Sequence, residues 1–298
     1  MGRLTFKPSK SSLTLEGGTS NLSLNVELLK EIASEVRRRV QPLIGVKKAW
    51  KPLGRGAGGD RTRLIDAVAE EAVFGKLREK KVSCMVVSEE KGATRIGSGR
   101  SGYLIVDALD GTNNALRGIP FCCVSLAAAD RPRLSAVHSA VVQDLYHGET
   151  FWALKNGGAF LEGKPLAPSK TESLRDALVG VDLNPPIPEE KAGSLLRLLR
   201  AAKHSRHFGA NALELCYVAS GRLDAFVEIR SRMRVTDLAA SQLIIREAGG
   251  LITDEAGGRL DSPASTPRFK LSFLAAGNKS LLNRILSVLH GGSSRLNP

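Results

Sequence analysis

The sequence predicts a layered α/β protein. Short β-branched runs alternate with segments of helical periodicity along most of the chain, the pattern of strands covered by helices. An apolar share of 42% is enough for a sizeable core. The 298 residues suffice for one large domain or two of ordinary size.

The elements follow in order. Residues 1–20 read as a flexible extension. An amphipathic helix begins at residue 22, with Leu28, Ile32, Val36 and Val40 on one face; Pro42 and Gly45 end it. The stretch PLGRGAGGD reads as a glycine-rich loop, and a second helix spans 62–80 with Ile65, Val68 and Ala72 on its apolar side. CMVVSEE reads as a strand ending in acids, and YLIVDALDGT as another. Two or three more strands fall in LSAVHSAVVQD and ETFWAL, with a turn at Asn156-Gly157-Gly158. DALVGVDL opens a new βα pattern. It is followed by a leucine-rich helix at 189–203, a short strand at 205–208 and a helix closed by Gly221. DAFVEIR precedes a helix at 237–248 that Gly249-Gly250 closes. LITD, LSFLAAG and a helix at 280–290 finish the chain. The polar, proline-containing stretch EGKPLAPSKTES suggests a boundary near residue 170, dividing the chain into 21–170 and 171–298.

The formal charge of +13 fits a nucleic-acid ligand, a phosphorylated small molecule or simply a charged surface. No RNP, KH or zinc-finger pattern occurs, and aromatics at 5% leave few stacking platforms, which argues against nucleic acid. No apolar run approaches the ~20 residues of a membrane span. The polar, basic N-terminus lacks the apolar region of a secretory signal. Cys84, Cys122, Cys123 and Cys216 form no CxxC pair and read as reduced, buried thiols of a cytoplasmic protein.

Two matches to GxGxxG, at 54–59 and 97–102, are read as loops. A dinucleotide fingerprint follows a strand and opens a helix, and neither match does. The histidines show no metal-ligand spacing and are read as surface or packing residues. The acids are more informative. Asp60 and Asp66 flank the second helix start, Glu89 and Glu90 end one strand, Asp107 and Asp110 end the next, and Asp237 opens a late helix. Each has a plain structural explanation: an N-cap, a solvated pair, an Asp-Gly turn or a helix-dipole partner. Their recurrence at element ends favours a shared rim, where strand C-termini and helix N-termini gather. Buried carboxylates need a compensating cation. A site of oxygen ligands without His or Cys selects Mg2+ or Mn2+.

These stretches resemble a known family. VDALDGTNN is similar to the D-x-(L/I)-D-G-T signature of the inositol monophosphatase and fructose-1,6-bisphosphatase superfamily. VVSEE resembles its G-E-E strand end, GDRTRLID its D-x-x-T-x-x-D segment, and TDLAASQLIIREAGG its W-D-x-A-A-G…E-A-G-G signature. FGANALELCYVASGRLDAFVEI resembles the substrate segment between them. The archaeal bifunctional branch looks closest, with its glycine-rich loop before Asp60 and no Trp before Asp237. Departures are Ser88 for Gly, Ala108 for Pro and Thr236 for Trp.

The resemblance implies a layered αβαβα sandwich with a metal-binding half (21–170) and a substrate half (171–298). It implies a phosphatase with two or three Mg2+ ions. Glu89, Asp107 and the Leu109 carbonyl would hold the first; Asp107, Asp110 and Asp237 the second; Asp66, with Glu89, a third and weaker one. Thr112 would orient the attacking water beside Asp66, and Asp60 would tune the glycine-rich loop. Gly111, Thr112 and Asn113 would take the phosphate, since a helix start offers free N–H donors. Gly209, Ala210, Asn211 and Glu228 would face the sugar hydroxyls. Arg230, Arg232 or Arg234 could take a second phosphate in a guanidinium fork or be surface charge, and Arg117 is open in the same way. A cytoplasmic homodimer acting on a small sugar phosphate (fructose-1,6-bisphosphate or inositol-1-phosphate) is the expected protein. The rivals are a nucleotide 3′-phosphatase, an NADP phosphatase and a non-catalytic nucleic-acid-binding protein of the same fold.

Overall fold

The computed structural model describes residues 24–99 and 102–291; the extension expected at 1–20 lies outside them. The first elements are α1 (Val26–Val40), a hairpin of β1 (Pro52–Arg55) and β2 (Arg61–Arg63), and α2 (Leu64–Glu79). Next come β3 (Cys84–Ser88), β4 (Gly92–Ile96), β5 (Tyr103–Asp110), the short α3 (Thr112–Arg117), β6 (Cys123–Ala129), β7 (Val137–Asp144), β8 (Thr150–Leu154), β9 (Gly158–Leu161) and β10 (Lys164–Pro165). The rest comprises β11 (Leu178–Val181), α4 (Glu189–Ala201), β12 (His204–Arg206), α5 (Asn211–Ala219), β13 (Ala225–Arg234), α6 (Val235–Glu247), β14 (Leu251–Thr253), β15 (Lys270–Ala276) and α7 (Lys279–Leu289).

An eight-stranded sheet runs β10-β9-β8-β7-β6-β5-β3-β4, and a five-stranded sheet runs β12-β11-β13-β15-β14. Period-2 alternation sends each strand's side chains to two faces, so each sheet needs two covers. Three apolar cores meet that need. Leu29, Ile32 and Val36 of α1 and Ala69 and Val73 of α2 pack on Val86, Leu104, Val106 and Leu126 of the large sheet. The opposite face, with Ile105, Ala127 and Val142, packs on Leu213 of α5 and Leu238 and Ile244 of α6, which also meet Phe226 and Phe273 of the small sheet. The far face of the small sheet, with Val179, Val227 and Leu274, is covered by Leu195 and Leu198 of α4 and Leu281 and Ile285 of α7. The result is a five-layer αβαβα sandwich whose middle helices serve both sheets.

The glycine-rich stretch differs from its expected form: it is the β1–β2 hairpin with residues 56–60 as its tip. Its polar, glycine-broken sequence has no apolar alternation, and pairing shows only in three dimensions. Besides that hairpin, three strands escaped the sequence reading: the two-residue edge strand β10, in the stretch read as a boundary, β4 and β6. β4 is a short edge strand, and β6 lies in an apolar run that continues from the β5–α3 stretch without a strong breaker. The first helix starts at Val26, not residue 22, because the Asn25 side chain accepts the Leu28 N–H and caps it there.

Phe226 and Phe273 stack at 5.8 Å between centroids in the middle core, and both are fully buried. Phe226→Ala should therefore cost about 3–5 kcal/mol, measured as a shifted denaturant midpoint at unchanged slope.

Candidate metal centre and active site

β3 and β5 are parallel neighbours, so their C-terminal ends lie side by side. Glu89 follows β3, and Asp107 and Asp110 close β5. A regular strand would send residues three apart to opposite faces. The register of β5 against β6 shifts between Asp107 and Asp110, where Asp107 pairs with Ser125 and Asp110 with Cys123. That bulge turns both carboxylates towards one cleft. From the other half, β13 ends at Arg234 and α6 begins at once, which brings Asp237 in through its first turn.

Glu89, Asp107 and Asp237 each offer a carboxylate oxygen, all within 4.8 Å of one another. Asp107 is 4% exposed, Asp237 7% and Asp110 9%. Asp107 Oδ1 accepts the Leu109 N–H at 3.0 Å, and Asp110 Oδ2 accepts the Ala212 N–H at 2.7 Å. Asp237 Oδ1 accepts the Thr236 hydroxyl at 2.9 Å. Among the described residues one guanidinium answers these acids: Arg234 Nη1 lies 3.2 Å from Glu89 Oε1, and Arg234 also pairs with Asp60. Burial, joined by carboxylate repulsion, pushes Asp107 and Asp110 well above the usual carboxylate range. Burial also raises Asp237, against the pull of Arg234. Glu89 is pushed up to about 8 by burial despite that guanidinium. Four converging carboxylates held by one cation leave an excess of buried negative charge. Hard oxygen donors at that spacing fit a divalent cation such as Mg2+ or Mn2+.

Asp66 sits in the first turn of α2. Its Oδ2 accepts the Arg63 N–H at 2.7 Å, capping the helix, and its Oδ1 accepts the Thr112 hydroxyl at 2.8 Å. Thr112 is also 3.1 Å from the Leu109 carbonyl oxygen. Gly111, at φ +87°, makes the left-handed corner between β5 and α3; a Cβ there would lie 3.0 Å from both Phe121 O and Ala210 Cβ.

A cleft of ≈ 930 Å³ contains most of the expected residues. Asp60, Asp66, Glu89, Asp107, Leu109, Asp110, Gly111, Thr112, Asn113, Gly209, Asn211, Arg230, Arg232, Arg234 and Asp237 line it. Three expected residues stand apart. Glu228 is fully buried behind Arg230, to which it is paired, and does not line the cleft. Ala210 is likewise fully buried beneath the cleft surface. Arg117 lies over the Trp50 ring, 5.8 Å from its centroid. Arg230 reaches the cleft but is already engaged by Asp182, Glu228 and the Asn184 carbonyl.

Several cleft residues went unremarked in the sequence. Asp182 directly follows β11, as Asp107 follows its own apolar run, so the same signal was present in VGVD. Asn211 Nδ2 donates to Asp182 Oδ2 at 3.2 Å, and His207 Nε2 lies 3.3 Å from Asn184 Oδ1. Asn114 Nδ2 bridges the Phe121 and Phe208 carbonyls at 2.8 and 2.7 Å, joining the two halves. The exposed β2 residue Arg61 and the exposed Lys270 at the start of β15 complete a basic rim.

The family model described as the inositol monophosphatase family matches residues 20–291. The fructose-1,6-bisphosphatase/inositol-1-monophosphatase of Methanothermobacter thermautotrophicus is 38% identical over 267 residues, covering 87% of this chain and 94% of that protein. The bifunctional NADP phosphatase/NAD kinase of Methanococcus maripaludis is 32% identical over 293 residues, covering 92% of this chain but 50% of that longer protein. Among solved structures, an inositol monophosphatase–fructose 1,6-bisphosphatase superposes with a TM-score of 0.77 at 29% identity, covering 88% of this chain and 98% of the other. Fold and site thus define a phosphoric monoester hydrolase. The chain belongs to the inositol monophosphatase family, and its relatives include the archaeal bifunctional enzymes.

The raised carboxyls set a pH dependence. Glu89 moves from an ordinary 4.5 to about 8, so the metal-free folded protein binds more protons than the unfolded chain between those values. Stability of the metal-free protein should fall as pH rises from about 5 to 8, because the unfolded state then ionises more easily. Adding Mg2+ or Mn2+ should restore stability most at the alkaline end, since the ligands bind deprotonated. Thermal melts with chelator and with metal across that range check both signs.

Proposed function

We propose that the protein is a Mg2+-dependent phosphatase of sugar and polyol phosphates. The observation that carries this is the convergence of the Glu89, Asp107 and Asp237 oxygens within 4.8 Å at the floor of a basic-rimmed cleft. Glu89, Asp107 and the Leu109 carbonyl would hold one ion, and Asp107, Asp110 and Asp237 another, with Asp66 and Glu89 beside a third. Such ions supply an activated water and neutralise charge on the phosphate and the leaving oxygen.

This chain's own residues do the rest. Thr112 donates its hydroxyl proton to Asp66 and so keeps its oxygen lone pairs for a water proton; we assign it the orientation of the attacking water. The N–H groups of Gly111, Thr112 and Asn113 are not needed by the α3 ladder and are free for phosphate oxygens. Gly209, Asn211 and the Asp182 carboxylate form the wall that reads substrate hydroxyls, with Glu228 holding Arg230 in place from behind. Arg232 and Lys270 suit a second phosphate better than Arg230 does, because the latter is already engaged by carboxylates.

Fructose-1,6-bisphosphate and inositol-1-phosphate are the proposed substrates, on the strength of the Methanothermobacter relative. NADP is the second reading, favoured by the Methanococcus relative, which aligns over nearly the whole of this chain. Four buried, unpaired cysteines support a cytoplasmic location, and the homodimer rests on family resemblance.

Phosphate release with Mg2+ from the three substrates in parallel tests the reading. Turnover of the two sugar phosphates, reduced by at least about a hundredfold in Asp107→Asn, is expected. Turnover of NADP alone would replace the substrate assignment, and turnover of none would remove the enzymatic one. Thr112→Ala should lower kcat by about a hundredfold while leaving KM close to unchanged, because it misplaces the water rather than the substrate.

A further inference from the structure

The glycine-rich stretch that is no dinucleotide fingerprint has a use in this fold. The hairpin tip is laid directly across the acid cluster. Ala57 N–H donates to Glu90 O at 2.9 Å, and Gly58 N–H donates to Glu89 O at 2.7 Å. A Cβ on Gly56 would lie 2.3 Å from Glu90 Oε2, and one on Gly58 3.1 Å from Glu89 Cγ and 3.2 Å from Arg234 Nε. The glycines are therefore what allows the backbone to approach the acids this closely.

Two arginines fix the tip from the opposite half: Arg268, whose Nε donates to the Ala57 carbonyl at 3.0 Å, and Arg234. The Arg234 side chain is 12% exposed and pairs on one side with Asp60 of the tip, on the other with Glu89. We propose that Arg234 is a positioning residue: its guanidinium latches the hairpin tip through Asp60 while neutralising Glu89, so an incoming metal ion competes with Arg234 for Glu89 and the Asp60 latch eases that competition. This rests on the metal reading above. Charge alone sets the direction. A divalent cation arriving at Glu89 meets a fixed positive charge and must draw the carboxylate away from it. Asp60 moderates that opposition by holding the guanidinium towards the hairpin.

The test uses chelator-stripped full-length protein, MnCl2 alone as the probe, and two readouts: calorimetric Kd, and the rate of tryptic cleavage after Arg55 and Arg61. Arg234→Gln should bind Mn2+ about tenfold or more tightly, since a like charge near the ligand is removed. The same variant should be cleaved about twofold to fivefold faster at the hairpin, since the Asp60 tether is gone while the Arg268 one stays. Asp60→Asn should also be cleaved faster but bind Mn2+ more weakly, because the guanidinium falls wholly to Glu89. Arg234→Lys keeps the charge and loses the fork, so its Kd should stay near wild type while cleavage rises. A merely structural arginine gives another pattern, in which weaker or unchanged Mn2+ binding accompanies faster cleavage in Arg234→Gln; that result overturns the proposal. Wild-type protein that binds no Mn2+ overturns the metal reading itself.

Discussion

Four carboxylates brought together in the protein interior, with one guanidinium among the described residues to offset them, are the constraint on which the rest of this structure depends. Glu89, Asp107, Asp110 and Asp237 come from two strand ends and a helix start, on both sides of the cleft. Their mutual repulsion in a poorly solvated site opposes folding of the metal-free chain. The fold tolerates it because three apolar cores hold the sandwich on either side, and because backbone N–H groups at Leu109 and Ala212 share the charge on two of the acids. A site that is strained without its cation is for the same reason selective for one.

The topology explains why these acids meet. Parallel pairing of β3 with β5 sets two strand ends adjacent, and the β5 bulge restores a common direction to residues three apart. The middle helices then carry residues from the second half to the same place: Asn211 opens α5, and Asp237 lies in the first turn of α6. The proposed substrate wall and the acid floor are therefore parts of one packed core, and Asn114 stitches them with two hydrogen bonds. A shift of α6 by even a fraction of a turn would move Asp237 out of reach of Glu89.

Much of this was legible in the sequence, for a physical reason. Acids that end apolar runs break the pattern their neighbours set, so Glu89, Asp107 and Asp110 stand out without any structure. The Thr112–Asp66 contact followed from resemblance, and the geometry has the two hydrogen-bonded. Long-range pairing was not legible. The hairpin of 52–63 has no alternation to reveal it, and Arg234 looked like any arginine in the run RSRMR. Glu228 was an acid in a good place by motif, yet its carboxylate is spent on Arg230 beneath the surface. Whether a charged side chain is free or already paired depends on partners far along the chain, and local pattern does not encode them. Asp182 was missed although its signal, an acid closing VGV, matched the one that identified Asp107.

The central claim is that this acid cluster is a divalent-cation site. The most direct measurement is a crystal soaked in MnCl2 and recorded at a wavelength where manganese scatters anomalously. The account predicts anomalous peaks within about 2–2.6 Å of carboxylate oxygens of Glu89, Asp107 and Asp237, with Arg234 moved off Glu89. A crystal at saturating Mn2+ with no peak in the cleft, and Arg234 still on Glu89, would contradict it.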